Sequence, residues 1–183
     1  MKTVFLFSGQ GSQHFQMGRE LFERDECFHA AMQDMDRLLR ERYGESVLAT
    51  LFAEHHTREA PFSNLLHSHP AIFMVEYALA KSLIGAGVQP DLVLGASLGT
   101  FVAAAVAGHL EPELALSAVV EQAIAVHKHC EHGCMIAVMG EPERYLTPEL
   151  LALCELGASN FATHAVLSLP ATQIGRASCR ERV

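Results

Sequence analysis

Ser97 sits between two glycines in Gly95-Ala96-Ser97-Leu98-Gly99, after the apolar run Leu92-Val93-Leu94 and ahead of the apolar stretch that begins at Phe101. Apolar run, Gly-x-Ser-x-Gly and second apolar run predict a strand, a sharp turn and a helix, the arrangement of a nucleophile elbow. Such a turn leaves no room for a Cβ on either side of the serine. It lifts the hydroxyl to the carboxyl end of the strand. The helix that follows aims free N–H groups and the positive end of its dipole at any anion formed there. The chemistry expected of Ser97 is acyl transfer through a serine ester. On its own the pentapeptide also reads as a flexible turn; the flanking strand and helix favour the elbow. A second Gly-rich turn, Ser8-Gly9-Gln10-Gly11-Ser12-Gln13, follows the short apolar segment Val4–Phe7. A phosphate-cradling loop would need a lysine after those glycines, and none is there.

Other reactive side chains are less organised. His127, His129, Cys130, His132 and Cys134 are types that bind zinc, but they lack paired Cys-x-x-Cys spacing, and the two leading histidines face different sides of a helix. No metal is expected. Five cysteines without regular spacing read as reduced thiols and a cytoplasmic setting. With 183 residues, half of them apolar and 19% charged, the chain can build one packed domain or a domain plus a fragment. A net charge of -8 argues against a nucleic-acid surface. No apolar run is long enough to cross a membrane.

The elements that would position Ser97 follow from periodicity. Val4–Phe7 reads as a buried strand. Residues from Asp25 to Arg42 place Phe28, Met32, Met35 and Leu38 or Leu39 on one helical face. Glu45–Phe52 predicts a short helix and Thr57–His67 a loop. Pro70 reads as a helix start, where its missing N–H costs nothing, with the helix running to Ile84 and stopped by Gly85-Ala86-Gly87. Helices are expected after Ser97, over Pro112–Lys128 and over Leu146–Leu153, and strands over Cys134–Met139 and Ala165–Leu167. Strands alternating with helices predict an α/β fold with a parallel sheet. Residues 171–183 carry three arginines in an acidic chain and continue neither period; they read as an artefact or a plain basic terminus.

Three ordered blocks carry a resemblance: Val4 to Gln13, Gly95 to Gly99 and, between them, His69-Pro70-Ala71-Ile72-Phe73-Met74-Val75-Glu76-Tyr77-Ala78-Leu79. Together they resemble the malonyl-CoA:acyl-carrier-protein transacylase family, which includes the acyltransferases of polyketide synthases. The match covers about residues 2 to 168. It implies a larger α/β-hydrolase-like subdomain with a parallel sheet, over 1–132, and an incomplete ferredoxin-like small subdomain, over 133–170. It also implies a ping-pong reaction in which Ser97 takes an acyl group from a thioester and passes it to a phosphopantetheine thiol or to water. Gln10 and the Leu98 N–H would form the oxyanion hole. Gln122, His69, Ala96, Gly9, Gly11 and Asn160 would surround the substrate. No tightly bound cofactor is implied. The substrate would be a thioester of coenzyme A or phosphopantetheine, and the partners acyl carrier protein and acyl-CoA, with neither nucleic acid nor membrane.

The departures from that pattern matter as much as the matches. Ala96 stands where the family commonly has His, and Thr100 where it has Glu. Gln122 takes the place of the arginine that pairs with a malonyl carboxylate, and no arginine occurs from Gly95 to Glu143. Loss of that guanidinium would cost on the order of 3 kcal/mol for a carboxylated substrate. His69 replaces the usual Gln. The pattern therefore leans towards a non-carboxylated acyl group, as in the acyl-hydrolase or starter-acyl branch of polyketide assembly. A malonyl-CoA transacylase is the alternative, and an inactive truncated fragment or binding module a second. The general-base histidine of the family has no counterpart before Val183, so the chain reads as truncated at its C-terminal end.

Overall fold

The structure, a computed structural model, describes residues 2–173. The expected artefact over 171–183 is met there only by a 3₁₀ turn at Ala171–Gln173; the rest of that stretch lies outside the described residues. The chain divides into two compact units between Lys128 and His129.

In the first unit β1 (Val4–Phe7) and β2 (Leu92–Gly95) pair in parallel, with Val4 opposite Leu92 and Phe7 opposite Gly95. Phe5 and Phe7 point into the core while Val4 and Leu6 face out, as the period of a strand requires. Parallel pairing has a direct consequence for the site. Both Gly-rich turns leave the carboxyl ends of adjacent strands, so they emerge side by side. The Ala96 N–H extends the ladder by donating to the Phe7 carbonyl at 2.9 Å.

Helices pack around this pair. α1 (Arg19–Arg24) leads into α2 (Glu26–Tyr43), which Asp25 caps by accepting from the Phe28 N–H and which ends at left-handed Gly44. Its buried face is Phe28, Met32, Met35 and Leu39, the stripe expected from spacing. Buried Asp36 accepts from Ser46 Oγ and the Leu48 N–H, both at 2.9 Å, and so ties α2 to α3 (Val47–Leu51).

α4 (Leu65–Gly85) corrects two expectations. Asn64 caps it by accepting from the Leu66 N–H, so residues 65–67 are helical rather than loop. Pro70 therefore lies inside the helix and not at its start. A proline there forfeits one bond, the one to the Leu66 carbonyl. Ala71, Ile72, Phe73 and Met74 are almost wholly buried just beyond it, and this packing keeps the segment helical. α5 (Gly99–Val106) and α6 (Pro112–His129) complete the unit.

The second unit holds β3 (Gly133–Met139), α7 (Pro148–Leu151), β4 (Glu155–Phe161) and β5 (His164–Pro170). Its three strands form an antiparallel sheet in the order β3-β5-β4 over a small core of Cys154, Leu167 and Leu169. The helix expected over Leu146–Leu153 shrinks to four residues. β4 escaped the sequence reading because its segment, ELGASNF, shows no strict alternation and carries two bulges in its pairing with β5. Among the described residues no helix is long and apolar enough to cross a membrane.

Candidate active site

Ser97 occupies the bend between β2 and α5 with φ of 52°, in the left-handed region, and its side chain is exposed. For a non-glycine residue this conformation is strained by roughly 1–2 kcal/mol, and such strain gathers where geometry serves function. The two flanking glycines explain how the bend closes. A Cβ on Gly95 would lie 2.3 Å from the Gly99 carbonyl oxygen, and one on Gly99 would lie 2.4 Å from the Phe7 carbonyl oxygen. No side chain fits either place. The Gly99 N–H donates to the Ala96 carbonyl at 2.9 Å and the Thr100 N–H to the Ser97 carbonyl at 3.0 Å, which locks the turn into α5.

The first loop lies against this bend. A Cβ on Gly9 would stand 2.8 Å from the Ala96 carbonyl oxygen, 3.0 Å from Ser97 Cβ and 3.6 Å from the Leu98 nitrogen. Gly9, Ala96, Ser97 and Leu98 are thus in direct neighbourhood, and Gln10 follows Gly9 in the same exposed turn. Gly11, at φ 112°, completes it and donates its N–H to Gln13 Oε1 at 2.7 Å. Neither the Gln10 N–H nor the Leu98 N–H has a hydrogen-bond partner among the described residues. The Leu98 N–H directly follows the strained, exposed serine, and the Gln10 N–H belongs to the loop that packs on the same bend. Thr100, standing where a glutamate was expected from the family pattern, turns its Oγ1 back to donate to the Gly95 carbonyl at 3.3 Å.

α4 carries the buried polar residues Ser68 and His69 and the half-buried Glu76. His69 is 6% exposed, and neither ring nitrogen has a partner; neighbouring Ser68 Oγ is also buried and unpaired. Burial holds the His69 pKa below its ordinary value, so the ring is neutral near pH 7. Glu76 went unassigned in the sequence reading. Its Oε1 accepts from the Ser8 N–H at 2.7 Å and from Ser8 Oγ at 2.5 Å, while Oε2 is buried without a partner. Burial raises the Glu76 pKa, and the two bonds from Ser8 partly counter it. A signal was available: Glu76 is the one charged residue in the apolar run from Ala71 to Ala80.

Two further sequence-derived residues lie on other elements. Gln122 lies on α6 with its side chain exposed and without a partner among the described residues. Asn160 belongs to the second unit, where its Nδ2 lies 3.0 Å from His164 Nδ1. No group of three or more His, Cys, Asp or Glu side chains converges among the described residues.

Comparison with known proteins places this geometry. The sequence pattern of the acyl transferase domain matches residues 4–155. BaeD of Bacillus velezensis, named a polyketide biosynthesis acyltransferase homolog, is 48% identical over 166 residues, which is 90% of this chain and 51% of BaeD. PksD of Bacillus subtilis, with the same description, is 42% identical over the same coverage. The chain spans about half the length of the curated relatives it matches. Among solved structures, a loading acyltransferase from the avermectin modular polyketide synthase superposes with a TM-score of 0.86 at 26% identity, covering 97% of this chain and 57% of that one. The malonyl-CoA:ACP transacylase of a Synechocystis strain gives 0.81 at 26%, covering 98% and 58%. The fold is the two-subdomain, α/β-hydrolase-like fold of those domains. The chain is a member of the acyl transferase domain family.

Proposed function

We propose that the protein is a serine acyltransferase of polyketide biosynthesis that moves acyl groups from thioesters through an ester on Ser97. The observation that carries this reading is the left-handed Ser97 with Gly9 packed beside it, the Leu98 N–H and the Gln10 N–H of the adjoining loop being unpaired among the described residues. A thioester carbonyl attacked by Ser97 Oγ would place its developing negative charge between those donors and at the head of α5. Thioester and serine ester are close in energy, so lowering two tetrahedral barriers is the main catalytic task. The elbow supplies the nucleophile and the two loops the charge stabilisation.

For the acyl group we favour a non-carboxylated one, such as acetyl. Neutral His69 and neutral Gln122 offer no positive charge to a desolvated carboxylate, and a neutral group needs none. The donor would be an acyl carrier protein or acyl-CoA, and the acceptor a carrier-protein thiol or water. Malonyl transfer is the second reading, favoured by the likeness to the Synechocystis transacylase. The two separate when the full-length protein is offered acetylated carrier protein and malonyl-CoA in parallel. Acetyl loss from the carrier with no lasting malonyl adduct is the expected result. A stable malonyl-enzyme would overturn the preference for a neutral acyl group.

A further inference from the structure

Glu76 is a half-buried ionisable group, one of its carboxylate oxygens fully buried, that the proposed chemistry leaves unused. It stands in the middle of the longest helix of the described chain, yet both of its bonds reach across to one loop residue, Ser8. Ser8 is the first residue after β1, the point where the chain turns into the loop that carries Gln10. The contacts continue along that loop: Ser8 Oγ lies 2.9 Å from Ser12 Oγ, which lies 3.0 Å from the Gly9 carbonyl oxygen. One carboxylate oxygen thus anchors a chain of polar contacts that closes the loop on itself. The other oxygen is left buried and unpaired, a cost that a purely packing role would not require. An apolar side chain at this position would pack in α4 more cheaply, but it would leave the Ser8 N–H without an acceptor.

We propose that Glu76 is the positioning residue of the oxyanion loop: through Ser8 it holds Gly9 and the Gln10 N–H against the elbow that bears Ser97. The loop lies close against the elbow, where a Cβ on Gly9 would stand 2.8 Å from the Ala96 carbonyl oxygen and 3.0 Å from Ser97 Cβ. The freedom left to it is to swing away, and the bonds to Glu76 oppose that motion. Charge-assisted bonds from a rigid helix suit the task, because they are short and directional. Among the described residues the hydrogen bonds of Glu76 come from Ser8 and none from Ser97 or its flanking residues, so it acts on the reaction through the loop.

The inference rests on the reading of Ser97 as nucleophile, and the test separates the two. In the full-length protein, the rate of Ser97 acylation by an acetyl thioester is measured against thioester concentration for wild type, Glu76→Ala, Glu76→Gln and Ser8→Ala. Amide exchange over residues 8–12 is measured alongside. Displacing the loop should lower the saturating rate of Glu76→Ala by roughly 100-fold. The half-saturating concentration should stay unchanged, since the proposed role of Glu76 is exerted through the loop and not on the bound thioester. Glu76→Gln keeps an acceptor oxygen for Ser8 and should lose only about fivefold. Ser8→Ala keeps the N–H bond and should fall between the two. Exchange over 8–12 should accelerate in Glu76→Ala and remain slow in Glu76→Gln and Ser97→Ala. A folded Glu76→Ala that acylates at the wild-type saturating rate, or whose loop exchanges no faster, overturns the proposal. If Glu76→Ala does not fold, equal saturating rates for Ser8→Ala and wild type overturn it. If wild type takes no acyl group at all, the nucleophile reading falls, and loop exchange alone then decides the role of Glu76.

Discussion

The strain at Ser97 and the crowding at Gly9 make opposite demands on mutagenesis. Ser97→Gly removes both the hydroxyl and the penalty of a Cβ at positive φ, whereas Ser97→Ala removes only the hydroxyl. The glycine variant is expected to match or exceed the alanine variant in stability, by up to about 1 kcal/mol in denaturant unfolding, with both unable to carry an ester. A lower stability for glycine would mean that the left-handed bend is not held in solution. Gly9→Ala drives a methyl to 2.8 Å from the Ala96 carbonyl oxygen, a rigid backbone atom. It should lose about 1–3 kcal/mol of stability and most of the acylation rate, since the loop must retreat from the elbow. Gly85→Ala is the matched control: its Cβ would meet only Cys27 Sγ, at 3.8 Å, and its stability should hold or rise.

At the level of elements, the parallel register of β1 and β2 does the positioning, because it delivers both Gly-rich turns to one edge. These two strands, the elbow and the apolar face of α2 were legible in the sequence, since each has an unambiguous local signature: a glycine pair around a serine, or apolar residues at helical spacing. The start of α4 was misread. Pro70 mimics a helix start locally, and the Asn64 cap and the burial of residues 71–74 that override it are tertiary facts. Glu76 was visible as an odd charge, but its partner lies 68 positions away, and only the fold brings Ser8 to it. β4 lacked alternation because its bulges break the period. α4 also carries a pH-dependent term. Burial lowers the pKa of His69 from its ordinary value near 6.5, so the unfolded chain takes up the proton first. The stability this confers is present above about pH 6.5 and is lost as the pH falls below it. Thermal melts between pH 7.5 and 5.5 should show a steeper decline for wild type than for His69→Gln. Parallel curves would place His69 in contact with water.

At the scale of the whole molecule, the chain carries an acyl transferase domain in which the elbow and the loop after β1 lie side by side. Gln122, exposed and without a partner among the described residues, is the position where selectivity is most open to redesign. Gln122→Arg in the full-length protein should raise the ratio of malonyl to acetyl labelling at least tenfold, as a guanidinium offsets the carboxylate that an amide cannot. An unchanged ratio would remove Gln122 from the acyl site. The central claim is tested most directly by trapping the intermediate. The full-length protein is incubated with an acetyl thioester, quenched in acid, digested and read by peptide mass. We expect one acetyl group, labile to hydroxylamine, on the peptide containing Ser97, and none in Ser97→Ala. An acetyl group on a cysteine, or one that persists in Ser97→Ala, would contradict it.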